Sequence, residues 1–253
     1  MAAAAGRTGK STMLDALLAF LPPDVERQTL TGVREDFGWL PEAASLGWRT
    51  RGDMLGTAGA AQGQPVDASN TYLVVPELSD HLPLYTWGEH ARIAIRAASR
   101  GYGVGATIHA DSLEEVLELL GDARWGVGLT ADELSWLGVV LILRVVRNGG
   151  RRVVAAHWIR PLARDAGGHV QRLAPAVLAA WDPAADTFDE YWWGIAPQLA
   201  ERAGRPSGAF EDEQARRAAY LAGLAAGGVT ARDDVDAAIA RFRALPTPAP
   251  AHG

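Results

Sequence analysis

The stretch Ala4-Ala5-Gly6-Arg7-Thr8-Gly9-Lys10-Ser11 narrows the possible folds of this chain more than any other feature. It has the spacing of a phosphate-binding loop, with Ala at the first Gly position. It passes directly into a segment in which Met13, Leu14, Leu17, Leu18 and Leu21 recur at helical spacing, stopped by Pro22-Pro23. The spacing has a physical origin. Successive backbone N–H groups wrap a phosphate, and the following helix aims its positive end at it. Lys10 would reach the β- and γ-phosphates. The Ser11 hydroxyl, with Thr12 beside it, would ligate Mg²⁺, and Gly9 lets the backbone approach closely. Gly6, Arg7, Thr8, Gly9, Lys10, Ser11 and Thr12 are therefore the candidate nucleotide-binding residues. The competing reading is a Gly-rich leader that happens to end in Lys-Ser-Thr. A phosphate loop needs a strand before it, and only Ala2 to Ala5 are available for one.

The pattern beyond the loop alternates strand and helix. Strands are expected at Val25–Leu30, at Thr71–Val75, which is apolar and bounded by Pro76, and at Gly103–Ile108. Helices are expected at Trp87–Arg100, closed by Gly101, and from Asp111 to Leu120, with Asp111 and Glu114 at capping-box spacing. Residues 32–68 lack a clear period. Asn148-Gly149-Gly150 between Val139–Val146 and Arg152–Ile159 signals a hairpin. Helical segments follow near 189–202, 211–226 and 231–244. This order predicts an α/β fold with a mainly parallel sheet flanked by helices, a later β-hairpin and a helical subdomain. The expected division is a core at 1–165, a mostly helical part at 166–245 and a disordered Pro-rich tail at 246–253.

Two further motifs carry chemistry. Tyr72-Leu73-Val74-Val75-Pro76-Glu77 is a strand ending in a carboxylate. Beside a phosphate loop, Glu77 would act on the attacking water and, indirectly, on Mg²⁺. Elsewhere it would be a solvated strand-edge Glu. Thr107-Ile108-His109-Ala110-Asp111-Ser112 places His109 at a strand's carboxyl end, where open α/β sheets bind ligands. There it could bond a γ-phosphate; otherwise it is an incidental polar residue before a helix capped by Asp111. His81, His90, His157 and His169 lack metal-ligand spacing and are read as structural. Arg92, Arg96 and Arg100 share a helical face, which is either solvated or reaches a neighbouring subunit.

Composition removes other classes. The 253 residues include no cysteine, so disulfide scaffolds, thiolate metal sites and cysteine nucleophiles are excluded. A net charge of −6 argues against direct nucleic-acid binding. No apolar run reaches the roughly 18 residues of a membrane span, and Leu137–Val146 carries Arg144. No signal peptide is visible at Met1 to Ala5.

A phosphate loop, a strand ending in Glu and a Thr-Ile-His-Ala-Asp-Ser box before an apolar-acidic helix, in this order, resemble the ATPases of type II and type IV secretion, type IV pili and archaeal flagella. Trp181-Asp182-Pro183 and the helical ending resemble archaeal-type members. The resemblance implies a RecA-like phosphate-loop NTPase using ATP and Mg²⁺, with Glu77 and His109 as catalytic residues. It further implies a cytoplasmic homo-oligomeric ring, peripheral at the membrane's cytoplasmic face and acting on an inner-membrane platform protein. Three departures stand against it. Family members carry a large domain before the phosphate loop. Their acidic box is replaced here by Glu26 to Gly32, with Glu35 and Asp36 out of register. Pro76 stands where the family usually has Gly. The expected function is an ATP-binding and ATP-hydrolysing motor domain. The alternatives are a non-hydrolysing nucleotide-binding or structural interaction protein, and a truncated piece of a full secretion ATPase.

Overall fold

The computed structural model describes residues 1–4, 6, 8–49, 66–147 and 149–245. Arg7, Asn148 and the tail at 246–253 lie outside the described residues. The chain divides into two compact units, Met1–Asp189 and Glu190–Gly253. The boundary expected at 165/166 falls inside the first unit, because β-structure continues past it into the main sheet.

The strands of the first unit are β1 (Ala2–Ala3), β2 (Glu26–Thr29), β3 (Thr71–Leu78), β4 (Gly103–Ile108), β5 (Val139–Val145), β6 (Arg151–Trp158), β7 (Ala163–Arg164), β8 (Val170–Gln171), β9 (Ala176–Asp182) and β10 (Thr187–Glu190). Its helices are α1 (Lys10–Leu18), α2 (Gly88–Ala97), α3 (Leu113–Gly121) and α4 (Ala131–Leu134). Eight strands form one sheet in the order β10-β9-β6-β5-β1-β4-β3-β2, and β7 pairs with β8 separately. From β2 across to β5 every pairing is parallel, while β5/β6 and β6/β9 are antiparallel. The fold is thus α/β with a mostly parallel sheet flanked by helices, as the alternation predicts.

The two-residue β1 holds the middle of this sheet. Ala2 and Ala3 pair with Thr107 and Ile108 of β4 on one side and with Leu141 and Ile142 of β5 on the other, and both are fully buried. A strand covered on both faces needs apolar residues throughout, and alanine satisfies this where α1 packs close. In β4, a Cβ on Gly103 or Gly105 would lie 2.2 or 2.8 Å from the Tyr72 ring, so glycine makes room for that ring on the neighbouring strand. Helix α2 buries Ala91, Ile93, Ala94, Ile95 and Ala97; α3 buries Leu113, Val116 and Leu120 at helical spacing.

Two local expectations are corrected. The cap of α3 is Ser112, whose hydroxyl accepts from Glu115 N–H, while the Glu115 carboxylate accepts from Asp111 N–H. The capping pair therefore sits one residue later than Asp111/Glu114. Helix α4 carries a full capping box between Thr130 and Glu133. In the arginine row, Arg92 and Arg96 are half-buried and bonded within the chain, while Arg100, just past α2, is exposed. Arg92 donates to the Val127 carbonyl, Arg96 pairs with Glu133 at 2.6 Å and donates to the Leu46 carbonyl, and Arg100 donates to Ser45.

In the second unit, α5 (Ala196–Arg202), α6 (Ser207–Ala226) and α7 (Arg232–Ala244) follow a short turn at Trp192–Ile195. Helices α6 and α7 meet through Tyr220, whose hydroxyl donates to the Ala238 carbonyl and whose ring lies 4.6 Å from that of Phe242. Glu213 is buried and paired with Arg216 and Arg217, which hold its carboxyl below the usual glutamate range.

Candidate functional site

The chain leaves β1 toward the β2 edge and leaves β5 toward the opposite edge. The crevice beyond the carboxyl ends of β1 and β5 is therefore a topological switch point, where open sheets of this kind accept ligands. A cavity of about 690 Å³ lies there. The loop before α1, the end of β3, the residue after β4 and the β5–β6 hairpin all line it.

Gly9 turns the loop into α1. It has φ 93°, and its carbonyl accepts from Met13 N–H. A side chain here would be strained, since the left-handed region costs an L-residue about 1–2 kcal/mol. Lys10, the first residue of α1, is 6% exposed, and its Nζ donates back to the Ala4 carbonyl at 3.2 Å. Burial pushes its pKa below the usual lysine value, and the charges of Glu77 and Asp111 offset part of that. Thr8 is buried, whereas Ser11 and Thr12 are exposed on the first turn and face the cavity. Gly6 lies against His109: a Cβ on it would meet His109 Cε1 at 3.7 Å.

Glu77 is placed by a local irregularity. Pro76 has no N–H to give to the ladder, and the β3/β4 register shifts between Val75 and Leu78. Thr107 on β4 repairs the gap. Its hydroxyl bonds to the Pro76 carbonyl and lies 3.2 Å from Glu77 Oε2. On the other side, Thr86 N–H donates to the Glu77 carbonyl. Proline where glycine was expected thus leaves the carboxylate aimed at the cavity. Glu77 Oε1 lies 3.1 Å from His109 Nε2 and 3.9 Å from Lys10 Nζ. Neither contact has hydrogen-bond geometry, and this buried oxygen has no hydrogen-bond partner among the described residues.

The structure therefore brings Gly6, Thr8, Gly9, Lys10, Ser11, Thr12, Glu77 and His109 to one cavity. Asp111 stands apart from this lining. Its backbone serves the α3 cap, and its charge acts on Lys10. Glu35 is also elsewhere. It is buried and accepts from Thr31 N–H, the Thr31 hydroxyl, Phe37 N–H and Trp39 Nε1–H, which makes it the organiser of its own loop. Two residues given no role from sequence, Arg151 and Arg152, line the cavity from the start of β6. Their signal was the basic run at the turn of the predicted hairpin. Among the described residues, no cluster of His, Asp and Glu could hold a metal by itself, and no helix is long and apolar enough to cross a membrane.

No family model matches the chain, and no curated protein matches it by sequence. Among solved structures, it is similar to the VirB11 ATPase from the Brucella suis type IV secretion system, determined in complex with sulphate. The identity is 22%, the TM-score 0.38, and the match covers 62% of this chain and 47% of that one. The match thus spans about half the length of that protein.

Proposed function

We propose that the chain is a RecA-like ATP-binding and ATP-hydrolysing motor domain of a secretion or type IV pilus-like assembly machine. One observation carries the nucleotide chemistry: Lys10 and His109, from separate parts of the chain, both lie within 3.9 Å of the Glu77 carboxylate at the crevice where the phosphate-loop sequence turns into α1. The residues fit the proposed ligands. The buried Lys10 ammonium suits a phosphate. Mg²⁺ would be held by the Ser11 hydroxyl, with Thr12 beside it and Glu77 acting through water, and would neutralise phosphate charge. Glu77 orients the attacking water with Oε1, which has no hydrogen-bond partner among the described residues, and Thr107 fixes the carboxylate. His109, lying between Gly6 and Glu77, registers the terminal phosphate.

The assembly role rests on the motif order and its resemblance to secretion ATPases. It carries with it a cytoplasmic ring of identical subunits that passes force to an inner-membrane platform protein. A second reading, nucleotide binding without turnover, is favoured by one observation. Glu35, the nearest substitute for the missing acidic box, is turned into its own loop, leaving Glu77 the sole acidic side chain lining the cavity among the described residues.

The test is ATP binding and steady-state phosphate release, with Lys10→Ala as control. Binding and turnover that both vanish in the variant support the motor. Binding without turnover selects the second reading. Equal behaviour of the two proteins, with no ATP bound by either, overturns both.

A further inference from the structure

The cavity holds a cation that the phosphate-loop motif does not supply. Arg151 opens β6, opposite Val145 at the end of β5, so the hairpin carries it past the carboxyl ends of the parallel strands. Its stem lies across the loop: a Cβ on residue 9 would sit 3.2 Å from Arg151 Cδ. Glycine at position 9 thus serves two ends, the left-handed turn and the passage of this side chain. Its neighbour Arg152 is held elsewhere, with Nε and Nη2 each 3.1 Å from the two Asp186 carboxylate oxygens.

The local charges leave work for such a residue. Lys10 stands 3.9 Å from the Glu77 carboxylate, so part of its field is already answered before any ligand arrives. A magnesium-bound nucleoside triphosphate still carries excess negative charge. An arginine meets phosphate oxygens with a planar fork of donors, in pairs, where lysine acts as a point charge.

We infer that Arg151 is a phosphate-binding residue supplied in cis by the β5–β6 hairpin, favouring a nucleoside triphosphate over the diphosphate. The inference rests on the proposed nucleotide site and names how that site tells substrate from product. Lys10 and the α1 N-terminus hold the phosphate chain from the loop side. Arg151 closes on its terminal group from the hairpin side.

The experiment titrates the full chain with fluorescent ATP and ADP analogues in magnesium buffer. It compares the wild type with Arg151→Gln, Arg151→Lys, Lys10→Ala and, as a charge control on the same hairpin, Arg147→Gln. Arg151→Gln is expected to weaken ATP about tenfold or more and ADP less than about threefold, the range of one charge-assisted contact. Arg151→Lys should fall between, and Arg147→Gln should match the wild type. Circular dichroism confirms folding, with Arg151→Lys carrying the test if the Gln variant does not fold. Two outcomes overturn the inference alone while the nucleotide site stands. In one, wild type binds, Lys10→Ala does not, and Arg151→Gln matches wild type. In the other, Arg151→Gln weakens ATP and ADP equally. A wild type that binds neither nucleotide overturns the site and the inference together.

Discussion

His109 Nε2 stands 3.1 Å from Glu77 Oε1, across the seam between β4 and β3. Glu77 follows Pro76 within the register shift of β3 against β4, and the Thr107 hydroxyl lies beside its carboxylate. The pair faces the cavity beside Lys10, and under the proposed function it would separate holding a nucleotide from hydrolysing it.

Glu77→Gln keeps the volume and the Thr107 contact but removes the charge proposed to orient water. Turnover is expected to fall by about 10²–10³, the usual cost of one preorganised catalytic group. ATP affinity should stay within about threefold. Phosphate release and equilibrium binding on the same preparation check this. Affinity falling as far as turnover would make Glu77 a binding residue only.

Glu35 makes the opposite prediction. Its carboxylate satisfies four donors, including the buried Phe37 N–H and the Trp39 indole. Glu35→Ala leaves the Phe37 and Trp39 donors buried without an acceptor, and stability should drop by about 2–4 kcal/mol. Urea unfolding measures it. ATP affinity of the folded fraction should be unchanged, because the residue is not part of the cavity lining. A selective loss of ATP turnover in a stable Glu35→Ala protein would restore it as the missing acidic-box carboxylate.

His157 on β6 gives a pH dependence. It lines a second cavity with Glu114 and Arg144, and burial lowers its pKa below 6.5, with Glu114 opposing in part. Above 6.5 the ring is neutral in both folded and unfolded chains. As pH falls through 6.5, the unfolded chain takes up the proton first, so stability is lost. Wild type should therefore lose stability relative to His157→Gln between about pH 7.5 and about pH 5. Because the ring is partly open to water, the loss should be small. Urea midpoints at several pH values read it, and a rising wild-type advantage toward acid would contradict the assignment.

Much of the architecture was legible along the chain. The apolar run Tyr72 to Val75, the glycine stop at Gly101, the helical spacing of Leu113, Val116 and Leu120 and the hairpin at Gly149-Gly150 each report a local preference. Local preference is enough to set strand, helix and turn. Lys10, Glu77 and His109 were legible for a related reason, since each sits at a fixed offset from an element end. The short β1 shows the limit. Ala2-Ala3 has little strand propensity of its own and becomes the central strand because β4 and β5 bond to both its edges.

Sequence by itself determined most of the strands and helices from α1 to β6, their order, and where Lys10, Glu77 and His109 stand relative to them. Tertiary structure alone decided which of the element ends share one space. It bent β3 at Pro76 so that Glu77 faces the cavity, and it turned Glu35 into its own loop. It bound Arg92 and Arg96 to carbonyls and to Glu133, and it brought Arg151 across Gly9 from more than half the chain away. The reason is physical. Hydrogen-bond spacing and side-chain periodicity act over a few residues, whereas the meeting of charges depends on sheet order and strand register, which are fixed only when distant segments pair.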